Sequence, residues 1–153
     1  MTMLTEPLRL HHKHCDDLFA DAEAAAAERN WPQCQELLSR LHDAIEDHFR
    51  TEETVLFPAF EAATGMTGGP TQMMRIEHAR MRELLGQMQS ALSAQAADVF
   101  AGAAETLLIF MQQHNMKEEN ILYPMCDRSL AEQAADLAAQ LRNSLEPGCA
   151  TKK

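Results

Sequence analysis

The sequence predicts an all-α fold, an antiparallel up-down four-helix bundle followed by a short C-terminal fifth helix. Three observations predict it. No alternation of Val, Ile, Thr and aromatic residues is sustained, and Ala, Leu, Glu, Gln and Met, all good helix formers, dominate. Four long segments carry apolar residues in helical steps of three and four. Short connections join them, which makes consecutive helices antiparallel neighbours. At 153 residues the chain has one domain's worth of sequence. We therefore expect a single domain over 1–153, with a four-helix core at about 6–127, an extra helix at about 129–145 and a frayed tail at 146–153.

The first helix is expected from about Glu6 to Glu28, with Thr5 as its N-cap, Pro7 in its first turn and an Ala-rich run from Ala20 to Ala27. Its buried stripe is Leu8, then His12 or His11, then Cys15 and Phe19. Asn30 caps the second helix, which opens on Trp31-Pro32 and runs to about Ala63. That stripe is Leu37, Leu41, Ala44, His48, Glu52 and Val55. The segment from Thr64 to Pro70, with Gly65, Gly68 and Gly69, is the clearest loop. The third helix runs from about Thr71 to Ser93 and buries Met74, His78, Met81, Leu85, Met88 and Leu92. Asp98 is the expected cap of the fourth, which reaches about Asp127 with a stripe of Phe100, Ala103, Leu107, Phe110, His114, Glu118, Ile121 and Met125. Ser129 and Glu132 form a capping-box pattern opening the fifth helix, which ends near Leu145. Its stripe of Leu130, Ala134, Leu137, Leu141 and Leu145 can lie on the bundle or on a second subunit, so a homodimer through this helix is a candidate assembly.

Composition excludes several classes. Hydrophobic residues make up 46% and charged residues 24%, which argues against disorder. A formal charge of -10 repels a phosphate backbone, so nucleic acid is not an expected partner. No apolar run approaches a membrane span, and the N-terminus lacks the basic flank and apolar stretch of a signal peptide. The four cysteines, at 15, 34, 126 and 149, form no C-x-x-C pair and read as reduced thiols of a cytoplasmic protein.

The informative feature is polar residues where apolar ones belong. Each long helix carries a histidine at or beside its stripe. The second and fourth add a glutamate four residues later, His48 with Glu52 and His114 with Glu118, and that spacing stacks both side chains on one helix face. His12 and His78 supply one imidazole each from the other two helices. Four nitrogens and two carboxylates exceed the roughly four ligands of one structural zinc. They suit two first-row ions, each held by two histidines and both bridged by the carboxylates, with positions left open for a small exogenous ligand. Imidazole and carboxylate favour iron or manganese, although affinity order alone favours copper or zinc. Either pair alone would read as a core or surface hydrogen bond; two copies plus two further histidines reverse that weighting. The copies also match beyond the ligands. The pattern H-x-x-x-E-E-x-[VI]-L-[FY]-P begins at His48 and again at His114, 66 residues on, which implies two pseudo-symmetric halves. Pro58 and Pro124 should kink or loosen their helix ends below the site.

With these residues in this order, the chain resembles the hemerythrin-like (HHE cation-binding) domains over roughly residues 8 to 126, and Glu77-His78 is typical of them. The resemblance implies an up-down four-helix bundle holding a non-haem, oxo- or hydroxo-bridged centre of two iron ions, with zinc or manganese as substitutes. It implies His12, His48, Glu52, His78, His114 and Glu118 as the metal ligands, Glu52 and Glu118 bridging, with His12 aligning best on the first helix and His11 as its fallback. Oxygen-carrying hemerythrins have a histidine where this chain has Met74, and a five-residue histidine-to-aspartate spacing where it has His114 and Glu118. The chain is similar instead to the bacterial four-histidine, two-glutamate branch. That similarity implies binding of oxygen, nitric oxide or peroxide, for stress response, scavenging or sensing, and argues against reversible oxygen carriage. No attached output domain is recognised, which favours a scavenger or carrier. A ferritin-like di-iron oxidase or iron store is the first alternative, but that class spaces Glu and His by three in the opposite order. A metal-stabilised helical interaction module without chemistry is the second. No dedicated acid, base or substrate pocket can be named, so dedicated enzyme activity is not assigned, although weak oxidase or peroxidase turnover is compatible with the site.

Other polar and soft residues have plainer readings. His11, His14 and His42 fall at the stripe margins, Cys15 is a small core residue, and the ten methionines fill gaps. Glu53, Glu77 and Glu119 are expected to be solvated or to orient histidines from outside. Tyr123 lies about half a turn from the His114 face of an ideal helix, so packing is its expected role.

Overall fold

Helix-forming composition is realised almost without interruption in the computed structural model, which describes residues 3–145. The elements are α1 (Glu6–Ala27), α2 (Trp31–Thr51), a π-helical turn (Glu52–Leu56), α3 (Phe57–Thr64), α4 (Pro70–Ser93), α5 (Ala97–Lys117), a second π turn (Glu118–Leu122), α6 (Tyr123–Ser129), a 3₁₀ turn (Ala131–Gln133) and α7 (Ala134–Leu145). No strand occurs among the described residues. The expected tail at 146–153 lies outside them.

The two halves repeat in their turns as well as their helices. After α1, Arg29 takes φ 56° and Asn30 N–H returns to Ala25 O at 2.9 Å; after α4, Gln95 takes φ 53° and Ala96 N–H returns to Ala91 O at 2.9 Å. Both are left-handed helix closures that satisfy terminal carbonyls and reverse the chain. Gly65, at φ 74°, ends α3 in the same left-handed region, which a glycine occupies without strain.

Three expected caps are not formed as read. Asn30 does cap α2, accepting from Gln33 N–H at 3.4 Å, but Thr5 makes no cap bond. Its hydroxyl and N–H instead donate to Asp127 at 3.0 and 3.2 Å, which ties the start of α1 to α6. Asp98 sits inside the first turn of α5, which begins at Ala97, where its charge favours the helix dipole. Ser129 ends α6, and no side chain caps the 3₁₀ turn that follows Leu130.

Helix α1 packs on α2 and α5, and α4 packs on α5 and α2. The contacts run in opposite order along neighbours. Cys34 Sγ meets Ala22 O while His48 meets His11, and Gln35 meets Gln89 while Glu46 meets Arg82. Two apolar clusters result. One includes Phe19, Leu41, Ile45, Met81, Met88, Phe100 and Leu107. The other includes Leu8, Leu56, Phe57, Phe60, Leu122, Leu130 and Leu141. On every long helix the site histidine lies in sequence between residues of the two, so a polar layer is held between apolar ones. Helix α7 packs on α1, α2 and the first π turn and buries Leu137, Leu141 and Leu145 in the second cluster. Its apolar stripe is thereby consumed within the chain. No helix of the described residues is long and apolar enough to cross a membrane.

Candidate metal centre

Each π turn begins at a site glutamate and ends one residue before the helix that carries Pro58 or Pro124 at its second position. Proline has no N–H to give and clashes with the carbonyl four residues back, so the preceding turn widens to i→i+5 bonding. The Phe57 N–H reaches Glu52 O and the Tyr123 N–H reaches Glu118 O in this way. The wider turn moves the buried register by one residue. Leu56 and Leu122 are buried where the ideal helix expected Val55 and Ile121; Val55 is only partly buried and Ile121 is 57% exposed.

All six sequence-predicted residues converge and are buried: His12, His48, Glu52, His78, His114 and Glu118. One ligand atom from each of Glu52, His78, His114 and Glu118 lies within 4.8 Å of the others, and so do atoms of His12, His48 and Glu118. Glu52 turns Oε1 toward His78 Nε2 at 3.0 Å and Oε2 toward His48 Nε2 at 3.5 Å. Glu118 turns Oε1 toward His12 Nε2 at 3.1 Å and Oε2 toward His114 Nε2 at 3.4 Å. Each carboxylate thus offers one oxygen to each histidine pair. Glu52 Oε1 and His78 Nε2, 3.0 Å apart, and Glu118 Oε2 and His114 Nε2, 3.4 Å apart, are buried close to one another, yet none of the four makes a hydrogen bond of good geometry. Four converging buried polar atoms without aligned hydrogen bonds are costly to leave so, and a cation satisfies all four at once. This donor set fits a metal.

The far side of each imidazole is also held. His12 Nδ1 meets Glu119 Oε2 at 2.6 Å, His78 Nδ1 meets Glu53 Oε2 at 2.7 Å, and His114 Nδ1 meets Glu77 Oε1 at 2.8 Å. Such carboxylates fix the ring and make its other nitrogen a better donor. Arg82 braces Glu53 at 3.3 Å and Lys117 braces Glu77 at 2.6 Å. The outside role expected for Glu53, Glu77 and Glu119 is the geometry observed.

Electrostatics follow from this arrangement. Burial opposes charge on His114, but Glu118, Glu52 and Glu77 outweigh it and raise its pKa to about 9. Burial likewise opposes charge on His12 and His78, and the carboxylates beside them, Glu118 with Glu119 and Glu52 with Glu53, carry both above the ordinary imidazole value. Burial lowers His48, against the pull of Glu52. Burial alone would raise Glu52, yet His48 and the hydrogen bonds around it hold it well below the usual carboxylate range. Carboxylates facing imidazoles form a set in which an incoming cation competes with protons for the same atoms.

Two residues of the site depart from what the sequence leads one to expect. Tyr123 does not only pack. Its hydroxyl donates to Glu52 Oε2 at 2.6 Å and lies 3.1 Å from Glu118 Oε1 and 3.4 Å from both His12 Nε2 and His48 Nε2. An ideal helix puts it about half a turn from His114; absorbing one residue in the π turn brings it to about a quarter turn. Pro124 after Glu118-Glu119 was the available signal. Burial, then Glu118 and Glu52, raise the phenol pKa well above its usual value, so the proton stays on. The other is His11, whose Nδ1 meets His48 Nδ1 at 3.0 Å and so faces the back of that ring, not the cluster. Burial, then His48, lower its pKa to about 3, which keeps it neutral. Cys15 Sγ lies 3.7 Å from His11, and burial, followed by Asp16, raises the thiol to about 12. His14 and His42 are exposed, away from the cluster.

A protein-family model described as the hemerythrin HHE cation-binding domain matches residues 3–126. No curated protein and no solved structure matches the chain.

Proposed function

From the premise that the chain belongs to the hemerythrin HHE cation-binding family, we propose that it is a non-haem di-iron protein that engages oxygen, nitric oxide or peroxide. Family membership itself implies metal binding, typically of iron. The observation that carries the finer reading is the sharing of both carboxylates between two histidine pairs, with four atoms of one pair's set left without aligned hydrogen bonds. In this reading His78 and His114 would hold one ion and His12 and His48 the other, with Glu52 and Glu118 available to both. Residues 1–153 act as one domain, an antiparallel up-down four-helix core with α7 laid across it, in the cytoplasm. A homodimer through α7 would have to use that helix's outer face, since its apolar stripe is buried.

When bound, the two irons supply open coordination positions and electrons for a small ligand. The chain's own residues set the conditions. All six donors are at most 6% exposed, so only a small molecule reaches them without rearrangement. Phe49 stacks on His78 at 3.9 Å between ring centroids, and Phe57 adds a second apolar face, which excludes water from that side. Tyr123 holds a proton at its hydroxyl oxygen, bonded to Glu52 Oε2, inside the donor cluster. That buried proton favours ligands that accept a hydrogen bond, such as oxygen and peroxide.

Metal analysis and the visible spectrum of aerobically purified protein test the reading. About two irons per chain are expected, and Glu52→Ala or Glu118→Ala should abolish that stoichiometry. Two irons retained in either variant, or a single zinc in the parent protein, would overturn it.

A further inference from the structure

The internal repeat makes each half of the site a control for the other. With the 66-residue offset, His48 corresponds to His114, His12 to His78, and Glu53 to Glu119. The outer contacts obey the same relation, since Glu53 holds His78 as Glu119 holds His12. The relation breaks one residue before the first-helix histidine. Glu77, which holds His114 at 2.8 Å, corresponds to His11, which holds His48 at 3.0 Å. Lys117, which braces Glu77, corresponds to Thr51, which makes its hydrogen bond to Ser144 instead. So three site imidazoles turn their Nδ1 to a carboxylate, and the fourth turns it to another imidazole, which never carries a negative charge. A charge-assisted bond is roughly twice as strong as a neutral one. It also passes electron density to the opposite nitrogen, the one aimed at the cluster.

We propose that His11 makes the two metal positions unequal: by standing behind His48 as an imidazole where the other three rings have a carboxylate, it leaves the ion at His12 and His48 as the second to bind and the first to leave. This rests on the two-ion reading above. His11 acts through His48 and is a positioning residue, not a ligand, because its near nitrogen is turned to the back of that ring. A site with one firmly held ion and one exchangeable ion can lose or regain half its metal without unfolding.

The test is an anaerobic titration of metal-stripped protein with Co(II) against a chromophoric chelator, following the Co(II) bands. Charge repulsion between two ions separates the binding steps in any such site, so the separation alone is not the signature. The signature is selectivity. His11→Glu should tighten the second step about 10- to 100-fold and leave the first unmoved, the usual size of an outer-partner effect. His11→Gln, which keeps a neutral acceptor, should behave as the parent. Glu77→Gln should weaken the first step by a similar factor and so narrow the gap from the other side. An unchanged second step in His11→Glu, or both steps moving together, would overturn the proposal while leaving two-ion binding intact. Should His11→Glu fail to fold, a Glu77→Gln variant whose first step is unmoved overturns it equally. One Co(II) in the parent and two in His11→Glu would support it. Fewer than two in both would remove the two-ion reading and the proposal together.

Discussion

Tyr123 and Phe57 occupy corresponding positions of the two repeats and stack on corresponding histidines. Tyr123 lies 5.8 Å from His12 at 16°, and Phe57 lies 5.9 Å from His78 at 21°. The rings pack alike, so the one chemical difference is the hydroxyl. Tyr123→Phe keeps the packing and deletes the donor to Glu52 Oε2. A buried acceptor stripped of its partner costs about 1–3 kcal/mol, so urea unfolding of the metal-stripped variant should show a loss of that order. Metal binding gives Glu52 another partner, so the loss should shrink in the metal-loaded protein. A neutral effect in both states would mean that the hydroxyl contact carries no weight.

At the scale of the element, the two π turns decide what faces the centre. Each follows from a proline placed six residues after its site glutamate, and each carries the buried face from one register to the next. Pro124→Ala restores an N–H and removes the clash that opens the turn. Without that constraint the α-helical register is free to return, which would carry Tyr123 about a quarter turn further from the His114 face. The expected outcome is a higher melting temperature for the metal-stripped variant together with weaker metal binding. Unchanged affinity would show that the turn is held by the surrounding packing and not by the proline. Two helix C-termini, unlike that of α3, close without glycine: Arg29 and Gln95 take the left-handed position at a cost of about 1–2 kcal/mol each that the repeated hydrogen bonds offset.

Across the whole molecule, the polar layer couples metal, pH and stability. Ligand that binds only the folded state at about a hundred times its dissociation constant adds roughly 2.7 kcal/mol, which for a chain of this size is about 5–10 °C in melting temperature. Chelation should lower the melting temperature by that amount. The pH dependence has two signs. His114 is raised from 6.5 to about 9 in the fold, so its contribution to the metal-stripped protein is complete below 6.5 and disappears as pH rises through 9. Metal needs the deprotonated ring, so proton competition fades over the same window. The metal-stripped protein should therefore melt lower at pH 9 than at pH 6.5, while the stabilisation added by metal grows. Scanning calorimetry with and without chelator reads both, and parallel curves would contradict the coupling.

Much of this was legible in the amino-acid order. Helical periodicity and the absence of strand signals gave the all-α class, and polar residues at core positions named the six residues that converge. Both signals are local: an amphipathic stripe has to be buried somewhere, and a histidine on it has to be buried with it. The repeat beginning at His48 and His114 carried the halves and their correspondence. What lay outside local reach was the set of relations between helices. The pairing of His48 with His11, the carboxylates standing behind the other three rings, and the shelter of α7 across α1 and α2 exist only once distant segments pack. The hydroxyl of Tyr123 among the donors needed one thing more, a turn wider than the ideal helix. A single residue absorbed there rotates everything after it, and a periodicity counted at 3.6 residues per turn cannot register that change.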